Sequence, residues 1–223
     1  MDINTCFETT KDYQMIAIYS HLIPMLITLT VSGFVLLKSN FSRLCQDFFL
    51  FSTSFCAWLL GDVILWVSSD YNLVSFFWAP LDYINIIFFI LGAYFFVNFV
   101  GGTGLNLRKK IIGLVLCFPA WWITITNHSI IQFNQPVCEA SNNYFLTNYK
   151  FFIEIIIIGF ILFYAFLNAR KVEKRKKIQI TVVSLALLLF FATFSVTEYI
   201  SSQTGVYEIN LYSLFVLPIF LLI

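Results

Sequence analysis

The sequence predicts an all-α integral membrane protein, a seven-helix bundle with its N-terminus outside and its C-terminus cytoplasmic. Three observations predict it. The 223 residues are 60% hydrophobic and only 11% charged, with a mean hydropathy of +0.85, far from the composition of a soluble domain. Seven apolar runs approach the ~20 residues needed to cross ~30 Å of hydrocarbon. Finally, the cations are segregated: eleven of the thirteen Lys and Arg fall in connections that alternate to one side, leaving Lys11 and Lys150 on the other. The densest group, Arg170 to Lys177 (RKVEKRKK), fixes that side as cytoplasmic by the positive-inside rule.

Residues 1–14 read as an outer tail. They are polar and acid-bearing and lack a basic n-region, which argues against a cleaved signal peptide. The remaining chain, 15–223, reads as one seven-helix unit. The first run, about Met15 to Leu37, returns through KSNFSR; the second, about Phe48 to Val67, ends at an outer SSDYN turn; the third, about Leu73 to Val100, ends in GGTG, a glycine cluster that does not continue a helix. The fourth, about Ile111 to Thr126, is short and contains Pro119, which breaks or kinks a helix. An outer loop from Asn127 to Asn148 leads to the fifth run, about Tyr149 to Asn168, and the sixth covers about Ile178 to Ile200. The seventh, from about Val206 to Ile223, spans about 27 Å with no charged anchor at its inner end. That is expected of the membrane part of a longer protein, the alternative being an end at the inner surface.

Ionisable groups inside hydrocarbon cost about 2.5–3.5 kcal/mol on insertion scales, so they are candidates for function. Asp62, Asp82, Glu154 and Glu198 all fall in the outer halves of their runs, as does His21, and no Lys or Arg is expected in the spans to neutralise them. Trp58, Asp62 and Trp66 recur at four-residue spacing on one helical face, and Trp78, Asp82, Asn85 and Phe89 share another. An acid flanked by indoles suits a cationic or amine-bearing ligand. A neutral carboxyl pair, or protonation as the signal, is the alternative; packing alone is the plain one. The expected site is an outer-leaflet cavity lined by the second, third, fifth and sixth helices. Cys6 and Cys138 face the oxidising side and are candidates for a disulfide, while Cys45, Cys56 and Cys117 read as buried thiols.

No Lys follows Lys177, which excludes a retinal Schiff base in this sequence, and the third helix ends FVNFVGG without an acid–Arg pair. HExxH, GxSxG, P-loop and paired CxxC patterns are all missing. The expectation is therefore a non-enzymatic chain with no cofactor, no metal and no nucleic-acid partner, embedded as a multi-pass protein in the cell membrane and taking the lipid bilayer and a small ligand or proton as partners. A small transporter using the same acids is the rival, although the inner halves of the fifth and sixth runs, IIIIGFILFYAF and QITVVSLALLLF, are nearly all apolar. A structural subunit pairing its acids with a partner's basic span is a third class.

Several stretches resemble the seven-helix N-terminal sensor region of bacterial histidine kinases: FSRLCQDFFLFSTSFCAWLLGDVILW, then FFWAPLDYINIIFFILGAYFF with its W-x-x-L-[DE]-Y pattern, PAWWITITNHSIIQF and KRKKIQI. The likeness runs from about Met15 onward. Trp58, Trp78, Asp82, Tyr83, Asn127 and His128 match it; Asp62, Cys6 and Cys138 depart from it. The resemblance implies a sensor whose seventh helix continues into a dimerising, kinase-bearing segment of a two-component system, hence a homodimer. It implies a location for the site and not the chemistry of a ligand.

Overall fold

A computed structural model describes residues 11–68, 70–102, 107–126, 130–134, 139–204 and 214. Among these residues six helices run in chain order, with a hairpin between the fourth and fifth: α1 Lys11–Lys38, α2 Arg43–Val67, α3 Tyr71–Gly101, α4 Leu107–Ile125, β1 Ile130–Asn134, β2 Glu139–Asn142, α5 Tyr144–Ala169 and α6 Lys174–Thr204. Five of them, all but α4, are long and apolar enough to cross a membrane. The expected seventh run apart from Leu214, the expected tail to residue 10, Asn127, His128, Cys6 and Cys138 lie outside the described residues.

The helix ends follow local chemistry. Asp70 caps α3, its side chain accepting from the Asn72 amide, and at the other end Gly102 adopts the left-handed conformation (φ 65°) that glycine accommodates without a Cβ clash. Asn143 caps α5 by accepting from the Phe145 amide at 2.9 Å. That cap starts α5 at Tyr144, about a turn and a half before the start near Tyr149 that hydropathy alone gives. Likewise α6 begins at Lys174, so the second half of the basic stretch is helical and not loop. Between α4 and α5 the antiparallel β1–β2 pair, with Gln132 opposite Ser141 and Phe133 opposite Ala140, is an element that the apolar-run pattern does not disclose.

The third helix is the hub, packing against α2, α4, α5 and α6, while α1 packs on α2. In hydrocarbon, burial from water no longer drives helix association, so close packing and hydrogen bonds must. On α1 the buried positions are mostly small or polar, with Ala17, Ser20, Pro24, Thr28 and Ser32 recurring every three to four residues. At the centre, aromatic rings fill the space between α2, α3 and α6. Phe51, Phe55 and Trp58 interleave with Phe88, Phe89, Phe190, Phe191 and Phe194; Phe89 stacks on Phe191 at 4.3 Å and Trp58 meets Phe194 edge-on at 4.9 Å. Each such pair adds about 0.5–1.5 kcal/mol beyond area burial. Gly92 makes room for this plug, because a Cβ there would lie 2.4 Å from Phe191 Cζ. Toward the C-terminal end of α3, Asn98 donates to Asp47 on α2 at 2.7 Å, and Lys176 on α6 donates to the Phe99 carbonyl at 3.1 Å. Cys56 and Cys117 are buried free thiols, as their places in the runs lead one to expect, whereas Cys45, expected to be buried as well, is only half-buried at the start of α2.

Candidate functional site

The intramembrane acids divide into two groups, and Lys150 decides the division. The sequence places this lysine outside; the early start of α5 instead carries it to the second turn of the helix, 5% exposed. There its Nζ donates to Asp82 Oδ1 on α3 at 2.5 Å and to Glu198 Oε1 on α6 at 2.6 Å. The expectation that no cation neutralises the acids is thus corrected. Asn85, one turn after Asp82, donates from Nδ2 to Glu198 Oε2 at 2.5 Å. Glu154, one turn after Lys150 and 1% exposed, accepts from the Ser195 hydroxyl of α6. It interacts electrostatically with Glu198, Lys150 and Asp82.

The three helices each contribute neighbours on one face: 82 and 85 on α3, 150 and 154 on α5, 195 and 198 on α6. Such i, i+3 and i, i+4 pairs project together, so the wedge between α3, α5 and α6 collects three carboxyl groups around one ammonium. Isolated charges in this setting would be prohibitive, and pairing is what makes their burial tolerable. Not every atom is paired, however. Asn85 Oδ1, Glu154 Oε1 and Ser201 Oγ are buried without a hydrogen-bond partner among the described residues, and Ser201 sits one turn beyond Glu198 on α6.

Asp62 and His21 form the other group. His21 Nε2 lies 2.7 Å from Asp62 Oδ2 across the α1–α2 contact, and His21 Nδ1 lies 2.6 Å from the Ala17 carbonyl. A carbonyl only accepts, so Nδ1 carries its proton. One further proton is shared between Nε2 and the carboxyl, and the pair is net neutral whichever of them holds it. The expected single cavity, with Asp62 and Asp82 lining it together from α2, α3, α5 and α6, is therefore not what forms: Asp62 turns to α1, and only Asp82, Asn85, Glu154 and Glu198 meet.

The indole cage is also corrected. Trp58, 4% exposed, is stacked against Phe55 and set edge-on to Phe194; it belongs to the aromatic plug. Trp78 is half-buried, one turn before Asp82 on the same face of α3. Sequence reasoning missed Lys150 and Ser195. The signal available for the lysine was the asparagine pair Asn142–Asn143 as a helix cap, together with the four-residue spacing to Glu154. For Ser195 there was none, since serine is common in such spans.

No protein-family model matches the chain, and no curated protein matches it. Fold and site define a class: a chain with five helices long and apolar enough to cross a membrane, three of which enclose an ionic cluster.

Proposed function

We propose that this chain is the sensing part of a membrane signalling protein. It is read as a seven-span, multi-pass unit with its N-terminus outside, and the α3/α5/α6 wedge is where the signal acts. The observation that carries this reading is the Lys150–Asp82–Glu198 cluster, buried and built from three different helices. A change in its charge or ligation alters how those helices pack, and only a signal with different affinity for two packings shifts their balance. The wedge lies near the outer ends of its helices, with Lys150 six residues into α5 and Glu198 six residues from the end of α6. By the resemblance to histidine kinase sensor regions, the output is phosphorylation by a segment on the cytoplasmic side.

The test is ATP-dependent autophosphorylation of the natural protein containing this chain, reconstituted in lipid nanodiscs. Asp82→Asn and Glu198→Gln should each move the phosphorylation level about tenfold, the response to roughly 1.4 kcal/mol in the packing equilibrium. An unmoved level in both variants, or the absence of any phosphate uptake, ends the sensor reading. Flux of protons or solute into proteoliposomes that depends on Asp82 would favour the transporter in its place.

A further inference from the structure

Three of the five buried side-chain oxygens that lack a partner among the described residues lie in the wedge or one turn past it: Asn85 Oδ1 and Glu154 Oε1 within it, and Ser201 Oγ one turn beyond Glu198 on α6. Their residues are between 0% and 1% exposed. Buried polar atoms without partners are few in folded proteins, and each calls for an explanation. Ser201 is informative because other hydroxyls on α6 satisfy themselves locally. Thr197, Ser202 and Thr204 each donate to a carbonyl three or four residues back, whereas Ser201 Oγ has no such bond.

Every unmet atom in the wedge can accept a hydrogen bond, and three carboxyl groups there face one ammonium. What the wedge lacks is N–H donors and positive charge. A metal ion is a poor answer, since among the described residues no three His, Cys, Asp or Glu are placed to hold one. A primary ammonium supplies one positive charge and three donors, against three unmet acceptors. The route in is the Glu198 flank, whose side chain retains 14% exposure where those of Lys150 and Asp82 retain 6% and 8%.

We propose that the α3/α5/α6 wedge binds the ammonium group of a primary amine beside Lys150, with Glu154, Asn85 and Ser201 as its acceptors. This rests on reading the wedge as the place where the signal acts. The same headgroup chemistry comes from two sources, a soluble amine or an ethanolamine lipid, and the experiment separates them.

The natural protein is placed in nanodiscs of phosphatidylcholine alone and its thermal midpoint followed with propylamine hydrochloride, against tetramethylammonium chloride at equal ionic strength. Propylamine at roughly ten times its dissociation constant should raise the midpoint by about 3–6 °C, and tetramethylammonium should not. A second arm uses nanodiscs containing phosphatidylethanolamine. If the lipid supplies the ammonium, the midpoint rises there without amine and propylamine adds little. Glu154→Gln and Ser201→Ala should each weaken the response about tenfold or more, while Asp62→Asn, outside the wedge, keeps it relative to its own baseline. Should Glu154→Gln not fold, Ser201→Ala, which removes one oxygen, decides alone.

No rise in either arm overturns the proposal. So does an equal rise with tetramethylammonium, or a response undiminished in Ser201→Ala. The two readings fail separately: a phosphorylation level that responds to Asp82→Asn with no amine response removes the amine alone, and an amine response with an unmoved phosphorylation level removes the sensor alone.

Discussion

The α1–α2 contact and the α3/α5/α6 wedge both bury ionisable groups in apolar surroundings, yet they are built to opposite ends. His21 and Asp62 account for each other. Both ring nitrogens have acceptors, the pair is neutral whichever partner holds the shared proton, and neither residue has an orphaned buried atom. In the wedge, Lys150 balances one charge among three carboxyl groups, and oxygens of Asn85, Glu154 and Ser201 stay unmet. A closed, neutral pair joins two helices; an open cluster can respond to something added. Burial of an acid in a span is thus not in itself a mark of function, and the accounting of donors and charges separates the two cases.

The comparison is broken most directly at Lys150. Lys150→Met strands Asp82 and Glu198, and removing one partner of a buried ion pair costs about 3–5 kcal/mol, so folded, monodisperse protein in detergent should nearly vanish. Combining it with Asp82→Asn and Glu198→Gln should restore much of the yield; a triple variant no better than Lys150→Met would mean the loss comes from packing of the lysine stem. At the other site, His21→Ala should cost about 1–3 kcal/mol by leaving the buried side of Asp62 without a donor. The apolar pair His21→Phe with Asp62→Leu should be close to neutral, because a closed pair can be replaced whole. Thermal unfolding of the four-member cycle measures the coupling, and a double variant as damaging as the sum of the singles would show that the pair does more than join α1 to α2. The smallest effect belongs to Gly159→Ala. It lies on the exposed face of α5, away from Lys150 and Glu154, with nothing within 4 Å of an added Cβ, so a change of no more than about 1 kcal/mol, toward stability, is expected. A larger loss there would mean that the outer face of α5 is itself covered.

Helices are legible in this chain because length, hydropathy and end chemistry are local. The first three runs come out within about five residues of the observed ends and Gly102 falls where its backbone chemistry places it, whereas Pro119, expected to break or kink the fourth run, lies inside a continuous α4. The β1–β2 hairpin was not legible, since its strands of five and four residues are too short for the alternation Ile131–Gln132–Phe133–Asn134 to stand out from a polar loop. Nor was the site legible as a whole. A hydropathy window leaves Lys150 at the very start of the fifth run, on the outer side, because it registers a polar residue near a helix start and not the Asn143 cap that begins the helix at Tyr144. Asp62 and Asp82 sit at matched depths on neighbouring helices, which makes a shared pocket the natural expectation; their rotation about the helix axes, set by what packs around them, sends one to α1 and the other to α5 and α6.

By itself the sequence determined that α1, α2, α3, α5 and α6 are long and apolar enough to cross a membrane, where α3 stops, and that a few acids and a histidine are costly to bury. Those follow from the chemistry of each segment alone. Which acid meets which cation was decided only by the tertiary structure, because a hydrogen bond of about 2.5 Å depends on the relative rotation and height of three helices whose contacts lie 48 and 68 residues apart in the chain.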